Sequence, residues 1–136
     1  AGTGVLHSEF NHSLENGLHF LQIWIETAQR GIRPSYEQKH FPSAERQGQW
    51  RLVLSPDGRD GSVSVNQDVN LYASLLSAGD HLMTPPSRYA WLHVVKGTIE
   101  VNGERLTTGD AAAFTPDEHV ELTSSDASEV LLFDLA

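Results

Sequence analysis

Apolar residues return at every second position along much of this chain. In "TIEV", Ile99 and Val101 alternate with Thr98 and Glu100. Successive side chains of a strand point to opposite faces, so such alternation predicts a strand with one face buried. The spacing of Val63, Val65 and Gln67 predicts another, and Asn70 to Leu76 a third. "QWRLVLS", "YAWLHVV" and the closing "EVLLFDLA" are dense in β-branched and aromatic residues and predict three more. "ERL" and "AAAF" predict short ones. Leu18 to Ile25, "LHFLQIWI", is apolar at both parities and predicts a strand buried on two sides. Helical spacing is thin: "NQDVNLYASLLSAG" has room for a turn or two.

Turn residues divide these runs. Lys96-Gly97 ends one strand, and Asn102-Gly103 is the strongest short hairpin signal a sequence carries. "TTGD" is a further turn. Pro34 and Pro42 bracket an extended connection, "PSYEQKHFP". "SPDGRDGS" reads as a plain turn, because a calcium loop would alternate its oxygen ligands and end on Glu. Many short strands with Gly-centred turns imply a β-sandwich or barrel. The order strand, Gly, strand, Asn-Gly, strand, Gly-Asp, strand fits a double-sheet jelly roll of the cupin type. The predicted fold class is all-β.

Composition narrows the partners. Of 136 residues, 39% are apolar and 20% charged, enough for one globular domain with a core. The net charge of -9 repels phosphates, so direct nucleic-acid or anionic-membrane binding is not expected. No apolar run is long enough to span a membrane. No basic segment followed by an apolar stretch marks a secretion signal, so a cytoplasmic location is expected. The Asn11-His12-Ser13 sequon therefore carries little weight. The first residue is Ala rather than Met, which suggests processing or a cut. There is no cysteine, so any metal site must use His, Asp or Glu.

Several separated blocks then become specific: "AGTGVLHSEFN", "LHFLQIWI", "PSYEQKHF", "RLVLSPDGRDGSVSVNQD" and "SEVLLFDL". In this order, and across essentially the whole chain, they resemble the pirin family, most closely its bacterial quercetinase-like branch. The resemblance implies a bicupin, two jelly-roll barrels packed face to face. It implies that residues 1–42 are the remnant of an N-terminal cupin with its inter-domain connection, including remnant strands. Residues 43–136 would be the C-terminal cupin. Roughly one hundred further residues would precede this point in a family member.

The same resemblance implies a divalent transition metal, iron foremost, held by three His and one Glu. His7 and Glu9, from "HSE", match two of those ligands. The other two would come from an upstream H-x-H, and no H-x-H occurs in this chain. The intact parent would be a quercetin or flavonol 2,3-dioxygenase, with Glu9 as the general base that takes the flavonol hydroxyl proton. The alternative is a protein-binding regulatory pirin, resembling a transcription cofactor and without catalysis. Either way this chain carries half a metal shell, which leaves its own activity open. Unpaired strand edges near its N-terminus would favour a homo-oligomer.

The remaining histidines are weaker candidates. In the second barrel, the positions where a cupin carries its ligands fall in "MTPPSRYA", Met83 to Ala90, which holds no His, Asp or Glu. His81 lies just outside with no nearby partner. His93 reads as a core or interface histidine. His119 and Glu121 form a second H-x-E, explained more cheaply as solvent-facing strand polarity. His19 shares a face with Leu21, Ile23 and Ile25, and Gln22 could line a pocket. No P-loop, dinucleotide fingerprint or nucleophile elbow is present.

Overall fold

The computed structural model describes residues 2–84 and 88–136. Ten strands lie within them: β1 (Arg51–Ser55), β2 (Val63–Ser64), β3 (Val69–Leu76), β4 (His81–Thr84), β5 (Tyr89–Lys96), β6 (Thr98–Val101), β7 (Glu104–Thr107), β8 (Ala111–Phe114), β9 (Val120–Ser124) and β10 (Ser128–Leu135). They form a six-stranded sheet, β2-β1-β3-β10-β5-β8, and a four-stranded one, β4-β9-β6-β7. All pairings are antiparallel except β1 with β2. One short helix, α1 (Ser43–Arg46), leads into β1. This is the expected all-β jelly roll. None of the helices among the described residues is long and apolar enough to cross a membrane.

The core lies between the two sheets. Val130 and Leu132 of β10 and Leu92 and Val94 of β5 are buried with Ile99, Val101, Val120 and Leu122 from the small sheet. Each alternates with a more exposed neighbour, which is why period two was legible. "NQDVNLYASLLSAG" forms β3 instead of helical turns: its buried residues pair along eight positions with β10. The alternation from Val63 to Gln67 produces only the two-residue β2 before the chain turns away.

Two turns show local control. Val101 pairs with Glu104 across a two-residue loop in which Asn102 (φ 48°) and Gly103 (φ 86°) are both left-handed. That is the hairpin conformation matching strand twist. The Asn102 side chain also donates to His119 O at 2.7 Å and accepts from Glu121 N–H at 2.9 Å, fastening the hairpin to β9. Gly97 has φ 94°, and a Cβ there would meet Ser128 Oγ and lie 2.7 Å from Ser128 Cα. The Thr98 N–H beside it donates to Asp126 Oδ1 at 2.9 Å.

Residues 2–42 depart from expectation. They contain no strand, and "LHFLQIWI" is irregular backbone rather than a strand buried on two sides. Trp24 is 87% exposed, and Leu18, Phe20, Leu21 and Ile23 are exposed as well. A strand needs a neighbour to accept its backbone hydrogen bonds, and no described segment pairs with this one. It lies instead across the outer face of the large sheet. His19, Phe20 and Leu21 flank Val95, Glu129 and Leu131. Ile23 to Glu26 flank Val69, Trp91, Phe133 and Leu135. Few polar contacts hold it: Ala28 N–H donates to Asn66 O at 2.8 Å, and Gln67 Nε2 to Glu26 O at 2.9 Å.

The connection after it is better anchored. The Glu37 carboxylate pairs with Lys39 at 2.7 Å and accepts from Ser64 N–H at 2.8 Å and Ser64 Oγ at 3.0 Å. Lys39, then Ser64, lower its pKa from the ordinary 4.5 to about 2.

Two tests follow from these contacts. Gly97→Ala combines left-handed backbone strain with a steric conflict against Ser128, and should lower stability by roughly 2–4 kcal/mol in urea denaturation. Glu37 gains protons less readily when folded, so its stabilisation is present above about pH 4.5 and is lost as pH falls toward about 2. Glu37→Gln should flatten thermal stability against pH within that window and leave it unchanged in slope near pH 7.

Candidate metal centre

His7 and Glu9 both lie exposed in irregular backbone. A strand would place residues two apart on one face, but no strand imposes that here. Directly after them the chain folds back on itself. Asn11 Nδ2 donates to Asn16 O at 2.7 Å, Ser13 N–H to Asn11 Oδ1 at 3.0 Å, and Asn16 N–H to Ser13 Oγ at 2.9 Å. These are the local side-chain turns that Asn and Ser favour. Among the described residues, no three His, Asp or Glu side chains gather in a way that could hold a metal ion. The donor chemistry of His7 and Glu9 suits a divalent transition metal. Two donors do not make a closed shell, so these residues do not by themselves form a complete centre.

The weaker candidates resolve differently. His81 does have a partner: its Nε2 lies 2.8 Å from Glu121 Oε1, across the pairing of β4 with β9. Glu121 thus faces His81 rather than joining His119 in a ligand pair. The two are 40 positions apart, and no local pattern could have shown the contact. His93 is half-buried on the outer face of the large sheet, opposite Leu131 and Ala111. His19 is exposed, and so is Gln22. Within the window Met83 to Ala90, Pro85, Pro86 and Ser87 lie outside the described residues.

One end of the barrel carries a chain of paired polar groups. Arg88 donates from Nε to Asp134 Oδ1 at 2.9 Å and from Nη1 to Asp68 Oδ1 at 2.6 Å. Asn70 Nδ2 donates to Asp134 Oδ2 at 2.7 Å, and Arg59 Nη2 to Asn70 Oδ1 at 2.7 Å. The hydrogen bond to Asp68, with support from Asp134, raises the pKa of the Arg88 guanidinium above its ordinary value. Both oxygens of Asp134 are therefore engaged, tying the starts of β3 and β5 to the end of β10. Asp57 in "SPDGRDGS" is spent the same way, accepting from Ser55 Oγ and Arg59 N–H. That segment is a turn, with its carboxylate turned to its own backbone.

Two sheets around one apolar core define a cupin-type jelly roll, and comparison with known proteins sharpens this. Residues 52–135 match the quercetinase C-terminal cupin domain. The chain is 43% identical over 137 aligned positions to a quercetin 2,3-dioxygenase of Escherichia coli K12, covering 99% of this chain and 58% of that protein. A putative quercetin 2,3-dioxygenase of Pasteurella multocida is 40% identical, with 99% and 58% covered. The crystal structure of YhhW from E. coli superposes with a TM-score of 0.76 at 38% identity, covering 83% of this chain and 48% of that one. YhhW, a bacterial pirin, has also been solved in complex with nickel(II), with a TM-score of 0.73 at 39% identity and 80% and 47% covered. The chain belongs to the pirin family. It spans about half the length of the relatives it matches.

Proposed function

We propose that this chain is the C-terminal part of a pirin-type bicupin whose whole form is a metal-dependent flavonol dioxygenase. The observation that carries the reading is the extent of the likeness: 99% of the chain aligns with the E. coli quercetin 2,3-dioxygenase. That span includes residues outside the matched cupin domain of 52–135. Residues 1–42 are then the return part of the preceding barrel, and 43–136 the second barrel. The exposed apolar side chains of "LHFLQIWI" support this, since such a surface is unfavourable in water and suits burial against further chain.

In that whole form, His7 and Glu9 are two ligands of a divalent metal, and a nickel-bound pirin supports the metal class. Such a metal, when bound, would polarise a flavonol oxygen and bring dioxygen to it. Glu9 would accept the hydroxyl proton through its carboxylate. In the chain alone, the uncovered segment would favour self-association.

Elemental analysis and quercetin turnover under oxygen test this, on the chain alone and on a form extended upstream with the part of the E. coli relative that the chain does not match. The extended form should hold about one metal per chain and turn over quercetin. His7→Ala in that form should lower metal content at least tenfold and abolish turnover. Metal and activity in the chain alone, or an extended form indifferent to His7→Ala, would overturn the assignment. If the extended form binds metal but leaves quercetin untouched, the regulatory reading replaces the enzymatic one.

A further inference from the structure

The chain contains two Asn-Gly steps, Asn16-Gly17 and Asn102-Gly103, and the fold treats them oppositely. In such a step the backbone nitrogen after the Asn can attack the side-chain amide, because glycine has no Cβ to crowd it. How readily it does so depends on how firmly the fold holds the two groups.

At Asn102 the carboxamide is held at both atoms. Nδ2 donates to His119 O at 2.7 Å, and Oδ1 accepts from Glu121 N–H at 2.9 Å. The Asn102 N–H donates to Glu121 O at 2.9 Å, and the loop is closed by the pairing of Val101 with Glu104. Turning Cγ toward the Gly103 nitrogen breaks both side-chain bonds. Asn16 and Gly17 are instead exposed in irregular backbone. Among the described residues, neither the Asn16 carboxamide nor the Gly17 N–H has a hydrogen-bond partner. The turn grips Asn16 only by its main chain: its O accepts from Asn11 Nδ2 at 2.7 Å, and its N–H donates to Ser13 Oγ at 2.9 Å.

We propose that Asn16 is a site of spontaneous deamidation to aspartate and isoaspartate, and that the fold protects Asn102 from the same reaction. The Gly17 nitrogen gives its proton to water and bonds to Asn16 Cγ. The Cγ–Nδ2 bond breaks, and Nδ2 takes up a proton and leaves as ammonia, so a cyclic imide remains. Water then opens the imide at either carbonyl carbon, with no change of oxidation state. Opening at Cγ gives aspartate. Opening at the former main-chain carbonyl gives isoaspartate, whose main chain runs through Cβ and Cγ. In isoaspartate the Asn16 O becomes part of a free carboxylate, so Asn11 Nδ2 keeps an acceptor and gains a charged one. The turn therefore does not oppose the product. Either product adds a negative charge to the loop that follows Glu9, and isoaspartate is the substrate class of enzymes that methylate an isoaspartyl α-carboxylate. The inference is independent of the metal assignment.

Incubation of the folded chain at mildly alkaline pH tests this, with peptide mass spectrometry and enzymatic isoaspartyl methylation as readouts. The amide-to-acid mass change should accumulate at Asn16 at least about tenfold faster than at Asn102. In urea, with the fold removed, the two rates should come within about threefold of each other. Gly17→Val sets a branched side chain beside the attacking nitrogen and should slow conversion at Asn16 at least about tenfold. A Cβ at Gly17 meets nothing within 4 Å, so that variant should fold and leave the Asn102 rate unchanged. Equal rates at the two steps in the folded chain, or no conversion at Asn16, would overturn the proposal. So would conversion indifferent to Gly17→Val, or an acid product without isoaspartate, since both mean direct hydrolysis. A tenfold difference that persists in urea would overturn protection by the fold.

Discussion

The large sheet is apolar on both faces, and most of the molecule follows from that. β10 is its middle strand, paired with β3 on one side and β5 on the other. Val130 and Leu132 point inward, while Leu131, Phe133 and Leu135 point outward. The inner face is covered by the small sheet, and each large side chain buried there contributes about 1.5–3 kcal/mol. Among the described residues, no second sheet covers the outer face. Residues 18–26 cross it as irregular backbone with few hydrogen bonds of their own. Val69, Leu71 and Ala73 are buried there, but Trp91 remains 44% exposed.

That difference separates the barrel from the segment bearing the candidate metal ligands. The barrel satisfies its own backbone through two ladders and closes one end with the Arg88–Asp134–Asn70–Arg59 chain. His7 and Glu9 sit on a stretch whose conformation nothing in the barrel dictates. Ligands need to be held to a fraction of an ångström by a supporting shell, and that shell is not present among the described residues. On the reading proposed above, the metal chemistry belongs to a longer form of this chain.

Strands with one buried face were legible because period two survives wherever one side meets the core, as in Ile99 and Val101 or Val130 and Leu132. Asn102-Gly103 was legible because few residues accept two successive left-handed positions. β4 was missed: "HLMT" is short, and its pairing is set by β9, some 40 residues later. The His81–Glu121 pair was missed for the same reason. "LHFLQIWI" misled in an informative way. Its composition speaks of a strand buried on two sides, but hydrogen-bond partners must be supplied from elsewhere, and the described chain supplies none. Of the candidate site, the sequence offers only donor types and a family resemblance that nominates His7 and Glu9. Whether the ligands converge depends on contacts that a local pattern does not encode.

Hydrogen exchange on the isolated chain tests the central claim, that the jelly roll is the cooperative unit and residues 2–26 are a loosely held cover. Amides of β3, β5 and β10 should exchange slowest, at rates governed by global unfolding, while those of residues 5–25 should exchange nearly as fast as an unfolded peptide. Protection across Leu18 to Ile25 equal to that of β10 would contradict it, and would mean that this segment forms a paired strand within the folded unit.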